Sequence, residues 1–244
     1  MKTFLCKGDS SLAKTKIQLF EDRLIQEGVT DEALLEFETL LKHSGDDWNR
    51  MQHCFITAYR FPVSRLDEAV KLIEFGIDRF KNSESGIVCS YQALGSIYEE
   101  AGLYQKAYDI YVLLYSRIGN HKGNFPWCLL KMKLHIDHFE YSKEMEEYFQ
   151  LCLNEDIISK SFLINKLLLA IADFIIAHNC GDKERMQENY DAICEMIEPG
   201  YKGPLNNVLK KHQYDERLRI SNECWSFLES MSRIRIFGLY KSKK

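Results

Sequence analysis

Two histidines, His135 and His138, flank Asp137, and Glu140 follows closely. On a helix, residues three apart share a face, so this stretch carries the side-chain types of a metal site. A working site needs further ligands from distant segments, and no other segment offers a matching group. The pair therefore reads as surface or core histidines, and neither a metal nor another cofactor is expected. Asp173 is the second candidate, set inside the nearly all-apolar run from Phe162 to Ala177. A buried, unpaired carboxyl group has a raised pKa, which is one route to a general acid. Pairing with a Lys, an Arg or a helix terminus is the plainer expectation. One carboxylate alone does not make an active site.

Nucleophile and phosphate-loop signatures do not occur. The chain contains no G-x-S-x-G, no G-x-x-x-x-G-K-[ST] and no G-x-G-x-x-G. The eight cysteines are Cys6, Cys54, Cys89, Cys128, Cys152, Cys180, Cys194 and Cys224, and the nearest two are 14 apart. Structural zinc sites usually show a close pair. Disulfide scaffolds belong to small secreted domains. These cysteines therefore read as reduced thiols packed like small apolar residues, and catalysis is not expected.

The elements that position these groups read as helices. The 244 residues include only 13 Gly and 4 Pro, with abundant Leu, Ile, Phe and Tyr, a profile that suits a helical globular chain. The length gives one large domain or two small ones, with ample core. Phe162–Ala177 is short for a membrane helix, and the opening Met1–Asp9 has too short an apolar segment for a signal peptide. A cytoplasmic protein with no membrane partner is expected.

Gly28 stops a first helix over 11–27, and Thr30 caps a second that buries Leu34, Phe37, Leu40 and Leu41. A third follows Asp46-Asp47, carries Trp48, Met51, Phe55 and Tyr59, and closes at Pro62. Ser64-Arg65-Leu66-Asp67 has the form of a capping box, opening a helix through Phe80. Pro126 suits the first turn of a later helix. Ser142 and Asp182 cap two more, and Cys224, Trp225, Leu228 and Met231 mark a last one near 216–232.

Tyr91-Gln92-Ala93-Leu94-Gly95-Ser96-Ile97-Tyr98, followed by Ala107-x-x-x-Tyr111, resembles one tetratricopeptide repeat (TPR), a helix–turn–helix unit of about 34 residues. Gly119 stands where that pattern closes on Pro. Ala33, Ala69 and Ala107 recur at spacings of 36 and 38, and Phe37, Ile73 and Tyr111 each follow four residues later. The flanking units lack the Leu-Gly pair: Thr57 and Glu21 stand where Gly95 would align. The resemblance implies an all-α fold, eleven or twelve helices in antiparallel hairpins stacked as a TPR-like superhelical array. The Phe162–Ala177 helix, apolar nearly all round, makes the C-terminal half more globular. One helical-repeat domain over 1–244 is expected, with TPR-like hairpins over 1–123, a divergent half over 124–232 and a basic tail over 233–244.

The resemblance also implies a non-catalytic protein-binding module. Its first helix would line the concave face, which points to Gln92, Ser96, Glu99 and Glu100 as partner-binding residues. Charge adds a second group. Residues 201–244 carry ten Lys and Arg against four Asp and Glu, so the net charge of −4 hides −10 over the first 200. Asp137, Glu140, Glu144, Glu146, Glu147, Glu155 and Asp156 form an acidic block with Lys143 its only base. It is either a solvated helix face or a patch that steers a basic partner, and Asp137, Glu140, Glu144 and Glu147 join the partner-binding set. The most specific expectation is an immunity protein that occludes the active site of a cognate toxin, possibly a basic nuclease domain. A TPR-type adaptor holding a peptide segment in its groove is the alternative. Direct nucleic-acid binding is not expected.

Overall fold

The computed structural model describes residues 15–118, 125–154, 163–201, 204–212 and 221–233. Among them the regular elements are twelve α-helices and one short 3-10 turn, so the fold is all-α with stacked helix–helix contacts. This packing is compatible with a helical repeat.

Local sequence accounts for most boundaries. α1 (Lys16–Glu27) opens at Thr15, whose hydroxyl accepts from the Gln18 N–H while Gln18 reaches back to the Thr15 N–H. Gly28 ends it with a φ of 111°, a conformation that L side chains rarely adopt. α2 (Asp31–Leu41) is capped by Thr30, and α3 (Asp47–Ala58) by Asp46. The Ser64 capping box does not form. Pro62 instead precedes a 3-10 turn over Val63–Arg65, closed by the Arg65 N–H donating to the Pro62 carbonyl at 2.8 Å. α4 (Leu66–Arg79) follows without a side-chain cap, because the residue at the cap position is Arg65, whose guanidinium has donors only and is engaged with Glu68 and the Ile25 carbonyl. Ser83 caps α5 (Glu84–Glu100). Gly102, at φ 71°, makes the turn into α6 (Tyr104–Ile118).

The chain divides into two compact units, Met1–Gly102 and Leu103–Lys244. The boundary falls inside the best repeat-like motif, so α5 belongs to the first unit and α6 to the second.

In the first unit, Phe20 of α1 stacks on Phe37 of α2 with ring centroids 5.4 Å apart. Polar contacts tie this hairpin to the next. The Val29 N–H donates to Glu68 at 2.9 Å, and Lys71 donates to the Val29 carbonyl at 3.1 Å. Arg60 pairs with Asp22. α3 packs against both α4 and α5, and glycines permit the approach: a Cβ on Gly76 would meet Cys54 Cβ at 3.0 Å, and one on Gly86 would meet Met51 Sδ at 2.5 Å. The buried stripe of α3 is Met51, Cys54, Thr57 and Ala58. Trp48 and Phe55 are only half-buried, and Tyr59 at the C-cap is exposed.

The internal periodicity has a packing basis. Phe37, Ile73 and Tyr111 are all buried, as are Ala69 and Ala107, while Ala33 is half-buried. Glu21, Thr57 and Gly95, the positions that align with the repeat glycine, are buried too.

In the second unit, α7 (Phe125–Ile136) has Pro126 at its second residue, α8 (Lys143–Asn154) follows Ser142, and α9 (Leu163–Cys180) lies at the centre of the core. Nine of the 18 residues of α9 are buried, among them Leu167, Ile171, Phe174 and Ala177. By length and composition alone α9 would also suit a membrane span, but its buried residues pack in one cluster with Leu134, Phe149, Ile193, Val208 and Leu228. Those partners come from α7, α8, α10 (Lys183–Ile197), α11 (Leu205–His212) and α12 (Asn222–Met231). Asp182 caps α10 and Ser221 caps α12. The seven described cysteines are free thiols. Burial, with the nearby charges of Asp191 and Glu223, pushes the Cys194 and Cys224 thiols up to about 12, so these two stay protonated and inert at neutral pH. Gly119, Phe162, Glu155, Asp156 and the tail beyond Arg233 lie outside the described residues.

Candidate functional site

Three of the four residues expected to bind on α5 gather around one side chain. The phenol of Tyr59, at the C-cap of α3, shares a hydrogen bond with the Ser96 side chain, and Glu100 and Glu99 lie close enough for their charges to act on it. Burial of the hydroxyl raises its pKa, the charges of Glu100 and Glu99 add to this, and Ser96 opposes it. The residue as a whole is 45% exposed. Gln92 lies one turn earlier on α5 and is also exposed. In the sequence Tyr59 continues the apolar spacing of α3, and Pro62 closely follows it.

Beside this cluster lies a small concavity lined by Tyr59, Phe61, Pro62, Val63, Leu66 and Ile97, with Glu100 on its rim. Its enclosed volume is only about 20 Å³, roughly the room one water molecule needs and far below the roughly 300–1,000 Å³ typical of small-molecule pockets. Ile56 shares a helix face with Tyr59 and is 47% exposed, and Val63 is 57% exposed.

The second expected group lies in the other unit and is partly neutralised within its own fold. Lys133, whose side chain is 13% exposed, reaches Asp137 at 3.0 Å and Glu144 at 3.1 Å. Burial pulls the Lys133 pKa down, but its bonds to Asp137 and Glu144 outweigh this and raise it. Asp137 also accepts from the Ser142 hydroxyl, and Glu144 from the Tyr108 hydroxyl. The Tyr108 bond is the main reason that the Glu144 carboxyl is held below the usual range. The network joins α6, α7 and α8. Its i, i+4 partner for Asp137 is legible in the sequence at Lys133, which sits just ahead of the acidic block. Glu147 approaches Lys143 only at 3.8 Å with both side chains exposed, a pairing worth little. Glu140 is exposed on the turn after α7.

Comparison with protein-family models, curated proteins and solved structures returns no match. The likeness to a helical repeat therefore rests on this chain's own residues and packing.

The chemistry-bearing candidates separate. His135 is buried at 7% exposure, and burial pushes its pKa down to about 4. His138 is exposed and has left the helix, with φ at 52°, so the two histidines do not share a helical face. Among the described residues no group of three or more His, Cys, Asp or Glu is placed to hold a metal ion. Asp173 pairs with Arg185 and accepts from the Asn189 amide at 2.8 Å.

Proposed function

We propose that this protein acts without catalysis, as a TPR-like helical-repeat module that binds another protein. The observation that carries the reading is the gathering of Ser96, Glu99 and Glu100 near the exposed Tyr59 on one face of the first unit. Tyrosine adds contact area at little entropic cost and is enriched at interfaces. The first unit holds 17 Asp and Glu against 12 Lys and Arg, which favours a basic partner. The most specific form is an immunity protein that covers the active site of a basic toxin, such as a nuclease domain, and blocks substrate access. An adaptor that grips an extended segment is the second reading.

Affinity capture from the source cells, followed by mass spectrometry, tests this function. A stoichiometric basic partner whose toxicity is suppressed on co-expression supports immunity. A partner that keeps its activity when bound supports the adaptor. Recovery of no protein partner overturns both.

A further inference from the structure

The turn between α7 and α8 joins a strained backbone to a buried imidazole. Its residues His138 and Phe139 both take left-handed angles, with φ at 52° and 59°. Histidine is among the side chains that visit this region, whereas a residue as bulky as phenylalanine does so under strain. Burial holds Phe139 there: its ring closes on His135 and stacks on Phe227 of α12 with centroids 5.3 Å apart. His135 is more than nine-tenths buried, and its Nδ1 has no hydrogen-bond partner among the described residues. Burial is the main force against a charge on this ring; Glu223 of α12 favours the charge and Lys131 of α7 opposes it. α6 presents the Tyr104 ring to it. On either side of the turn, Asp137 accepts from the Ser142 hydroxyl, and Lys133 spans Asp137 and Glu144.

We infer that this corner is an acid-operated latch: protonation of His135 opens the Tyr104–His135–Phe139 stack locally, lets the strained turn unwind, and frees Asp137 and Glu144 from Lys133 while the α9 core stays folded. An imidazolium finds no acceptor for its Nδ1 proton in the closed corner, so it moves towards water. Phe139 then loses the neighbour that keeps its backbone in the left-handed region, and the turn relaxes. The acidic block presents carboxylates that Lys133 covers when the corner is closed.

Amide hydrogen exchange on the full chain, read by NMR at pH 7 and pH 5 with and without low urea, provides the test. The reporters are the N–H groups of His138, Phe139 and Glu140, which donate to the carbonyls of His135, Leu134 and Asp137. Corrected for intrinsic rates, their exchange is expected to rise roughly twentyfold from pH 7 to pH 5. It should stay insensitive to low urea, the mark of a local opening, and exceed that of the Ile171 and Phe174 amides in α9 by about tenfold or more. His135→Phe keeps the stack without the titration and should abolish the rise. His138→Gly, at an exposed position, relieves strain in the closed turn and should slow exchange at both pH values without changing their ratio. Corner and α9 amides that exchange together with one urea slope overturn the latch, because the corner then opens only by unfolding. So does wild-type exchange that is flat between pH 7 and pH 5, or a rise that persists in a folded His135→Phe. If that variant does not fold, the urea dependence of the wild type decides alone.

Discussion

The imidazole of His135 stacks on the ring of Tyr104 with centroids 4.1 Å apart and parallel to within 13°. Phe139 closes the other side edge-on at 5.2 Å, and the buried Nδ1 has no hydrogen-bond partner among the described residues. Burial lowers the pKa to about 4, Glu223 raises it slightly and Lys131 lowers it. The unfolded chain therefore binds more protons than the folded one between about pH 4 and the ordinary histidine value of 6.5. Stability is fully present above that window and is lost as pH falls through it. The loss from pH 7 to pH 5 is roughly 2 kcal/mol. Urea melts across this range check it, and His135→Phe, which keeps the stack, should flatten the dependence.

Gly76 lies where α4 meets α3. Helix propensity alone favours Gly76→Ala by about 1 kcal/mol. The new Cβ would stand 3.0 Å from Cys54 Cβ and 3.2 Å from its Sγ, and the former is fixed to the backbone of α3. Overpacking of this kind costs about 1–3 kcal/mol, so net destabilisation is expected. Cys54→Ala should restore little, because its Cβ remains. A thermal melt showing Gly76→Ala more stable than wild type would contradict this packing.

Glu68 holds the turn between α1 and α2. Its carboxylate accepts the Val29 N–H at 2.9 Å, and the Arg65 hydrogen bond is the main cause of its lowered pKa. Glu68→Ala leaves the buried Val29 amide without that acceptor, at a cost of about 1–3 kcal/mol. Amide exchange at Val29 should quicken in the variant at neutral pH. In the wild type the same contribution is lost as pH falls below the ordinary carboxylate range.

Asp173 is a structural anchor between α9 and α10. Asp173→Ala removes the ion pair to the partly exposed Arg185 and the Asn189 bond, and should lower stability by about 1 kcal/mol, seen as a lower melting temperature. Partner binding below the melt should not change. Loss of binding with unchanged stability would move Asp173 from the core to the site.

Much of this architecture is readable because short-range chemistry sets it. Thr30, Asp46, Ser142 and Asp182 each mark a helix start, Gly28 and Gly102 mark stops, and the unbroken apolar run of α9 announces its central place. The misreadings share a cause: contacts from outside the local window. Ser64 has the spacing of a cap, yet Arg65 is drawn to Glu68 and to a carbonyl 40 residues away. The acidic block looks unopposed until Lys133, four residues before Asp137, folds back onto it. The α5 face was legible in Ser96, Glu99 and Glu100, but their common neighbour was not, because Tyr59 comes from another helix.

Calorimetric titration of the captured partner into wild type, Glu100→Lys and Asp173→Ala tests the central claim most directly. The account predicts saturable binding to wild type. It predicts affinity weaker by about tenfold or more in Glu100→Lys, and unchanged affinity in Asp173→Ala. Equal binding by wild type and Glu100→Lys would contradict it.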